Sequence, residues 1–453
     1  METYLIRTFG CQMNKHDSER VAGLLASHGM TPVSTAEDAD VVVFMTCCVR
    51  ENADERLRGQ ARSLKSIKAG RPGQLIAVGG CIGQRDGDKL LEQVPHLDVV
   101  FGTHNIASLP TLLDTARRQR LPQVEVFSET HGFASDLPTE REHPWHAWVP
   151  ITIGCDNFCT YCIVPYVRGR EKSRPIAQIE SEVLRLVDEG VREVTLLGQN
   201  VNSYGRDLYG EARFAQVLRA VADTGIDRIR FATSHPKDLS AETIAAMAEV
   251  PAVMPYLHLP IQSGSDRILA AMNRRYTQSD YLALVESARR AVDNLAISTD
   301  IIVGFPGETE SDFAATLDVV REVGFDQAFT FIYSPREGTP AASLEPRVAR
   351  EVSQPRFDSL VELIHRSALA NNRRLVGTIQ PVLFEGVSKR DDAVLAGRTP
   401  TNKVVHVAVP EGRAGEEFAG QILDAEVLEA QTWFLGGRLV GTEGERGAEA
   451  PPV

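Results

Sequence analysis

Short apolar runs alternate with amphipathic stretches along the first 127 residues. Tyr4-Leu5-Ile6 precedes a helical pattern over 18–28, and Val41-Val42-Val43-Phe44 precedes one over 51–68. Leu75-Ile76-Ala77-Val78 leads to 89–94, and Val99-Val100-Phe101 to 106–118. Strand then helix at this spacing predicts a doubly wound parallel α/β domain over 1–127. A stretch rich in Pro, His and acidic residues, 128–144, reads as a linker. From Trp148 the alternation restarts, with strands expected at 149–153, 193–197, 228–233, 256–260, 296–303 and 327–333. Helical patterns such as 176–187 and 312–323 lie between them. Six βα units over 145–375 predict an incomplete parallel barrel, (βα)6 where the closed form is (βα)8.

After a helical connector over 347–375 the pattern changes to short β runs at 379–384, 393–397, 403–409, 420–428 and 437–440. No helix of useful length intervenes, so a small β-barrel is expected over 376–441. The end, 442–453, is rich in Gly, Glu and Pro and is expected to be disordered.

Composition changes this picture little. Hydrophobic content of 43% and charged content of 24% suit a soluble globular protein. No signal-peptide pattern opens the sequence, and no apolar run is long enough to span a membrane. Seven cysteines without an export signal point to a reducing compartment, so a cytoplasmic protein is expected, with thiols serving metals or catalysis.

The cysteines carry the chemistry. Gly154-Cys155-Asp156-Asn157-Phe158-Cys159-Thr160-Tyr161-Cys162 follows the first expected barrel strand, where that fold places its active sites. Zinc wants four ligands and iron–sulfur clusters are also held by thiolates, so three thiolates would leave one iron open for a substrate or cofactor. A zinc clip, or thiols that only fill space, is the alternative. Cys11, Cys47 and Cys81 each fall just beyond the first three strands of the N-terminal domain. In open parallel sheets ligands bind outside those strand ends, so a second three-thiolate site follows from topology. Buried core cysteines are the alternative there. Cys48 should point away from Cys47, as a spectator or reserve ligand.

The barrel rim adds polar groups beside small residues: Gly198-Gln199-Asn200, Ser234-His235-Pro236, Gln262-Ser263-Gly264-Ser265 and Gly304-Phe305-Pro306-Gly307-Glu308. Such groups hydrogen-bond ribose and amino-acid functions. His235 and His258 read as hydrogen-bonding partners rather than metal ligands.

The net charge of −13 argues against broad nucleic-acid binding. Two local basic clusters stand out nonetheless. One is Arg56, Arg58, Arg62, Lys65, Lys68 and Arg71, with no acid among them; the other is Arg168, Arg170, Lys172 and Arg174.

Together, Thr8-Phe9-Gly10-Cys11-Gln12-Met13-Asn14, the three-cysteine loop and Gly397-Arg398-Thr399-Pro400-Thr401-Asn402-Lys403 resemble the methylthiotransferases of the radical S-adenosylmethionine superfamily. The resemblance covers residue 3 to about 440. It implies a methylthiotransferase N-terminal domain, a radical barrel and a C-terminal TRAM domain that binds RNA. It also implies two 4Fe–4S clusters, the radical-generating one on Cys155, Cys159 and Cys162 and an auxiliary one on Cys11, Cys47 and Cys81. Gln199, Asn200, Gln262 and Ser263 would contact S-adenosylmethionine. One departure is visible: the family usually reads Asn-Thr-Cys-Ser where this sequence has Met45-Thr46-Cys47-Cys48. The TRAM region is not basic, with six Lys/Arg against nine Asp/Glu from Gly377 to Val440, so RNA contacts must be local. Arg168, Arg170, Lys172, Lys389, Arg390, Arg398 and Lys403 are the candidates.

The implied reaction adds a methylthio group to carbon 2 of N(6)-dimethylallyladenosine in the tRNA anticodon stem-loop, with a reducing electron donor and a monomeric enzyme. That C–H bond is beyond any side-chain base and needs cofactor chemistry. Sibling reactions on threonylcarbamoyl-adenosine or on a ribosomal-protein aspartate are the nearest rivals. A non-catalytic iron–sulfur RNA-binding protein is the rival of another class.

Overall fold

A computed structural model describes residues 1–48, 51–128 and 133–441. The expected disorder of 442–453 lies outside these residues, as does part of the expected linker. The described chain forms two compact units. The first comprises Met1–Asp238, Ala271–Arg274 and Ser334–Leu344, and the second the remainder.

The first unit opens with a six-stranded parallel sheet. Its order is Thr31–Pro32, Thr3–Thr8, Val41–Thr46, Leu75–Gly80, Val99–Phe101 and Gln123–Glu125. Successive side chains of a strand face opposite ways. Val42 and Phe44 pack with Leu57, Ala61 and Leu64 of the helix Glu51–Gly70 on one face. Val41, Val43 and Met45 pack with Val21, Leu24 and Leu25 of the helix Gln12–Ser27 on the other. A strand buried on both faces reads as a continuous apolar run, as these do. Ile163 and Val167, from the segment after the cysteine loop, join the first of these cores.

The same unit holds a three-stranded parallel sheet of Arg228–Ala232, Glu193–Leu197 and His146–Pro150. Here the expected strand 149–153 is corrected. The parallel strand is His146–Pro150, whereas Thr152–Ile153 pairs antiparallel with Lys172–Ser173. Pro150 is the last residue of the parallel register, opposite Leu197, and just beyond it Ile151 N–H still donates to Leu197 O at 2.9 Å.

The second unit contains a three-stranded parallel sheet of Tyr256–His258, Ala296–Val303 and Gln327–Ile332. All six strands expected of the radical barrel therefore exist, three in each unit. The helix Arg350–Arg373 leads into a closed five-stranded barrel. Its order is Ile379–Ser388, Asp391–Arg398, Val404–Ala408, Phe434–Leu439 and Ile422–Ala430, the last pairing back to the first. Val382, Phe384, Leu395, Val405 and Leu435 fill it. The last strand in sequence begins at Phe434 rather than 437, because Gly436 and Gly437 are paired residues of the ladder and not a turn.

Candidate active site

Strand register assembles the N-terminal cysteines. Thr46 pairs with Gly80, so Cys47 and Cys81, the next residues, leave neighbouring strands side by side. Cys11 sits at the start of the helix Gln12–Ser27. Gly10, at φ +112°, lets its loop come close: a Cβ there would lie 2.1 Å from the Cys47 Cβ. A hydrogen bond with Cys47, helped by the Arg168 charge, holds the Cys11 thiol below its ordinary range. A hydrogen bond with Cys48 does the same for Cys81, again with Arg168 contributing. Cys48, expected as a spectator or reserve ligand, adjoins Cys81. It is fully buried against Cys81, and that bond and its burial push its own thiol well up.

Arg168 is expected from sequence to meet RNA, and the structure places it elsewhere. Only 6% of it is exposed, and its Nη2 donates to Asp17 Oδ2 at 3.0 Å and to Asn14 Oδ1 at 3.1 Å. Asp17 and Asn14 line the inner face of a helix whose partner is distant in sequence, which no local pattern in the chain announces.

The three-cysteine loop is anchored on both sides. Cys155 N–H donates to Gly169 O at 3.1 Å, and Gly154 has room only for hydrogen, since a Cβ would lie 2.1 Å from Arg170 O. Thr160 donates through N–H and Oγ1 to Met272 O and Ala271 O, at 3.1 and 2.9 Å. Cys155 and Cys159 are buried and Cys162 is half-buried. Burial pushes the Cys155 and Cys162 thiols up to about 12. Arg274 Nη1 lies 3.5 Å from Cys159 Sγ, a cation that sequence distance concealed.

Among the described residues, no three His, Cys, Asp or Glu side chains are drawn around a point that would hold a single ion. The donors themselves fit an iron–sulfur group. Each of the two sets offers sulfur alone, and a cationic side chain stands beside each to answer thiolate charge.

Beyond the three parallel strands of the first unit lie buried polar atoms without a hydrogen-bond partner among the described residues: Thr152 Oγ1, Asn200 Oδ1, Asn202 Nδ2 and Ser234 Oγ. Buried polar groups are nearly always satisfied, so this group fits a polar ligand. Gly198 keeps the floor open, since a Cβ there would stand 2.3 Å from Thr152 Oγ1. Gln199 is half-buried beside them. His235 is held neutral by burial and by Arg274, and its Nδ1 accepts from Lys237 N–H, in keeping with a hydrogen-bonding role. Nearby, burial with Asp156, Asp207 and Asp238 pushes the Glu171 carboxyl up to about 7, against the hydrogen bond it accepts from Ser203.

In the second unit Gln262 adopts φ +71°, and its Oε1 is likewise buried without a partner among the described residues. Ser263 is buried and accepts from Ser265 N–H at 3.2 Å. His258 Nε2 and Asp300 Oδ1 share a hydrogen bond of 3.1 Å. The basic candidates divide. Lys172, Lys389 and Arg390 are exposed, and exposed Arg170 is paired with Asp156. Arg398 is held by Glu385 at 2.7 Å. Lys403 is mostly buried against Asp326, 2.7 Å from its Oδ1. Among the described residues no helix is long and apolar enough to cross a membrane.

Residues 149–320 match the Radical SAM superfamily, 3–102 the family described as Uncharacterized protein family UPF0004, and 373–440 the TRAM domain. The chain is 51% identical over 439 residues to a tRNA-2-methylthio-N(6)-dimethylallyladenosine synthase of Streptomyces viridosporus, covering 96% of this chain and 86% of that one. A protein of the same name from Nocardia farcinica is 48% identical, covering 96% and 88%. Among solved structures, the radical S-adenosylmethionine methyltransferase TsrM of Kitasatospora setae shares the fold, with a TM-score of 0.54 at 12% identity, covering 83% of this chain and 91% of that one. A cobalamin-dependent radical enzyme, OxsB, gives 0.51 at 12% identity, covering 81% and 56%. With a three-cysteine loop in a radical SAM domain, three strand-end cysteines and near-half identity across its length, the chain belongs to the tRNA-2-methylthio-N(6)-dimethylallyladenosine synthase family of radical S-adenosylmethionine methylthiotransferases.

Proposed function

We propose that this chain adds a methylthio group to carbon 2 of N(6)-dimethylallyladenosine beside the tRNA anticodon, using S-adenosylmethionine. The observation that carries this reading is identity near one half over 96% of the chain to relatives bearing that name. We assign Cys155, Cys159 and Cys162 to one 4Fe–4S cluster and Cys11, Cys47 and Cys81 to a second. When bound, such clusters supply the one-electron and sulfur chemistry that side chains lack.

The chain's own residues bind, orient and exclude water. Thr152, Asn200, Asn202 and Ser234 offer unpaired donors and acceptors to the amino-acid and ribose groups of S-adenosylmethionine, with Gln199, Gln262 and Ser263 as further contacts. Arg274 balances charge at Cys159. The target base must leave its stack to be reached, as single-stranded RNA recognition generally requires. Exposed Arg170, Lys172, Lys389 and Arg390 suit the flanking phosphates, and Arg398 is half-exposed. The assigned domains are 1–127, 145–375 and 376–441. A reducing partner is required, because the chemistry consumes electrons. The monomer is the working unit, since one chain carries both cysteine sets. A tRNA substrate suits a cytoplasmic enzyme.

Deleting the gene and measuring tRNA nucleosides by mass spectrometry tests the reading. Loss of 2-methylthio-N(6)-dimethylallyladenosine with accumulation of N(6)-dimethylallyladenosine is expected. Unchanged nucleosides would overturn it and point to the threonylcarbamoyl or ribosomal-protein reaction.

A further inference from the structure

The short helix Val164–Arg168 begins two residues beyond Cys162 and ends on a buried cation. Val167 on that helix packs in the same apolar core as Cys48 and Cys81. The Arg168 guanidinium reaches across to Asn14 and Asp17, comes within hydrogen-bonding reach of Cys81 and acts through space on Cys11. Asp17 in turn contacts His16, with Oδ1 3.2 Å from Nδ1, and burial keeps that imidazole neutral. An arginine stays charged at any working pH, and its burial is costly unless negative charge answers it. Asp17 supplies one such charge. Asn14, three residues beyond Cys11, supplies a second acceptor through its Oδ1.

We propose that Arg168 is a positioning residue for the group held by Cys11, Cys47 and Cys81. It ties the radical loop to that group and, balanced against Asp17, sets its reduction potential. The inference rests on the reading of these three cysteines as iron–sulfur ligands. Reduction adds negative charge, so a nearby cation favours the reduced form and a nearby carboxylate opposes it. Net charge and hydrogen bonds to the sulfurs are the means by which proteins tune such clusters.

The test uses the full chain with Cys155, Cys159 and Cys162 all changed to Ala, so that only the second cluster remains. After anaerobic reconstitution, iron and sulfide content and a redox titration followed by electron paramagnetic resonance are measured. Arg168→Met should move the midpoint to a more negative potential, and Asp17→Asn should move it the opposite way. Arg168→Lys, which keeps the charge, should fall between Arg168→Met and the parent. Midpoints that do not move, or that move in the same direction for Arg168→Met and Asp17→Asn, overturn the proposal. Should Arg168→Met fail to fold, the sign of the Asp17→Asn shift still decides it. A parent chain that binds no iron overturns both this inference and the ligand assignment, whereas intact iron with unmoved midpoints overturns the inference alone.

Discussion

Asn200 gives its Nδ2 to Asp238 Oδ2 at 2.6 Å and keeps its own Oδ1 buried without a partner among the described residues. The carboxylate fixes the amide's orientation, and the unpaired oxygen is left for a ligand donor. Asp238 is itself held by Arg206 and Lys237, so the arrangement is rigid before any ligand arrives.

Asn200→Ala should weaken binding of S-adenosylmethionine without loss of iron. One missing hydrogen bond with a buried group left unmatched costs roughly 1–3 kcal/mol, on the order of 10- to 100-fold in affinity. Equilibrium dialysis on reconstituted protein measures it, and an unchanged dissociation constant would remove Asn200 from the ligand site.

Gly198→Ala places a methyl group against the Thr152 hydroxyl and should destabilise the fold by about 1–3 kcal/mol. Adding Thr152→Ala removes the obstructing oxygen. The double variant should regain much of that stability in urea unfolding yet still bind S-adenosylmethionine poorly, because Thr152 Oγ1 is one of the unpaired atoms. Failure of the second substitution to restore stability would show that the close approach is not the cause.

Glu171 makes stability depend on pH in a definite direction. Its folded pKa, about 7, lies above the ordinary glutamate range, so the native state holds the proton more tightly than the unfolded chain does. The associated stability is fully present below about pH 4.3 and is lost as pH rises through about 7. Glu171→Gln should therefore gain on the parent as pH rises through that window. A difference that stays constant from pH 4 to 8 would contradict the assignment.

The basic residues of the C-terminal barrel should separate into two behaviours. Lys403→Ala breaks a pair whose side chains are 11% and 14% exposed, and should cost roughly 1–3 kcal/mol of stability, somewhat below the fully buried case. Combined Lys389→Ala and Arg390→Ala should leave stability nearly unchanged and weaken anticodon stem-loop binding. The salt dependence should also fall, by roughly 0.7 in slope for each single-strand phosphate that is no longer neutralised. Filter binding across salt concentrations distinguishes the two, and an unaltered slope for the double variant would exclude these residues from the RNA interface.

Much of this molecule is legible along the chain because its signals are local. Apolar runs alternating with amphipathic stretches mark the strands, and spacings of three and two residues mark the cysteine loop. Parallel topology places Cys11, Cys47 and Cys81 at neighbouring strand ends before any coordinate is known. Boundaries are less legible: the expected strand 149–153 changes its pairing after Pro150, and the helix behind Cys11 starts at Gln12 rather than near 18.

The sequence by itself determined the elements, their order and which cysteines form two sets, since hydrophobic periodicity and ligand spacing act over a few residues. Tertiary structure alone decided where the charges went. Arg168 and Lys403 look like any exposed basic residue in sequence. One is buried against Asp17 and the strand-end thiols, and the other is mostly buried against Asp326. The same is true of Arg274 beside Cys159, 115 residues away along the chain. Long side chains find partners by where the backbone carries them, and the cost of burying a charge unpaired selects the partner, so neither is written in local sequence.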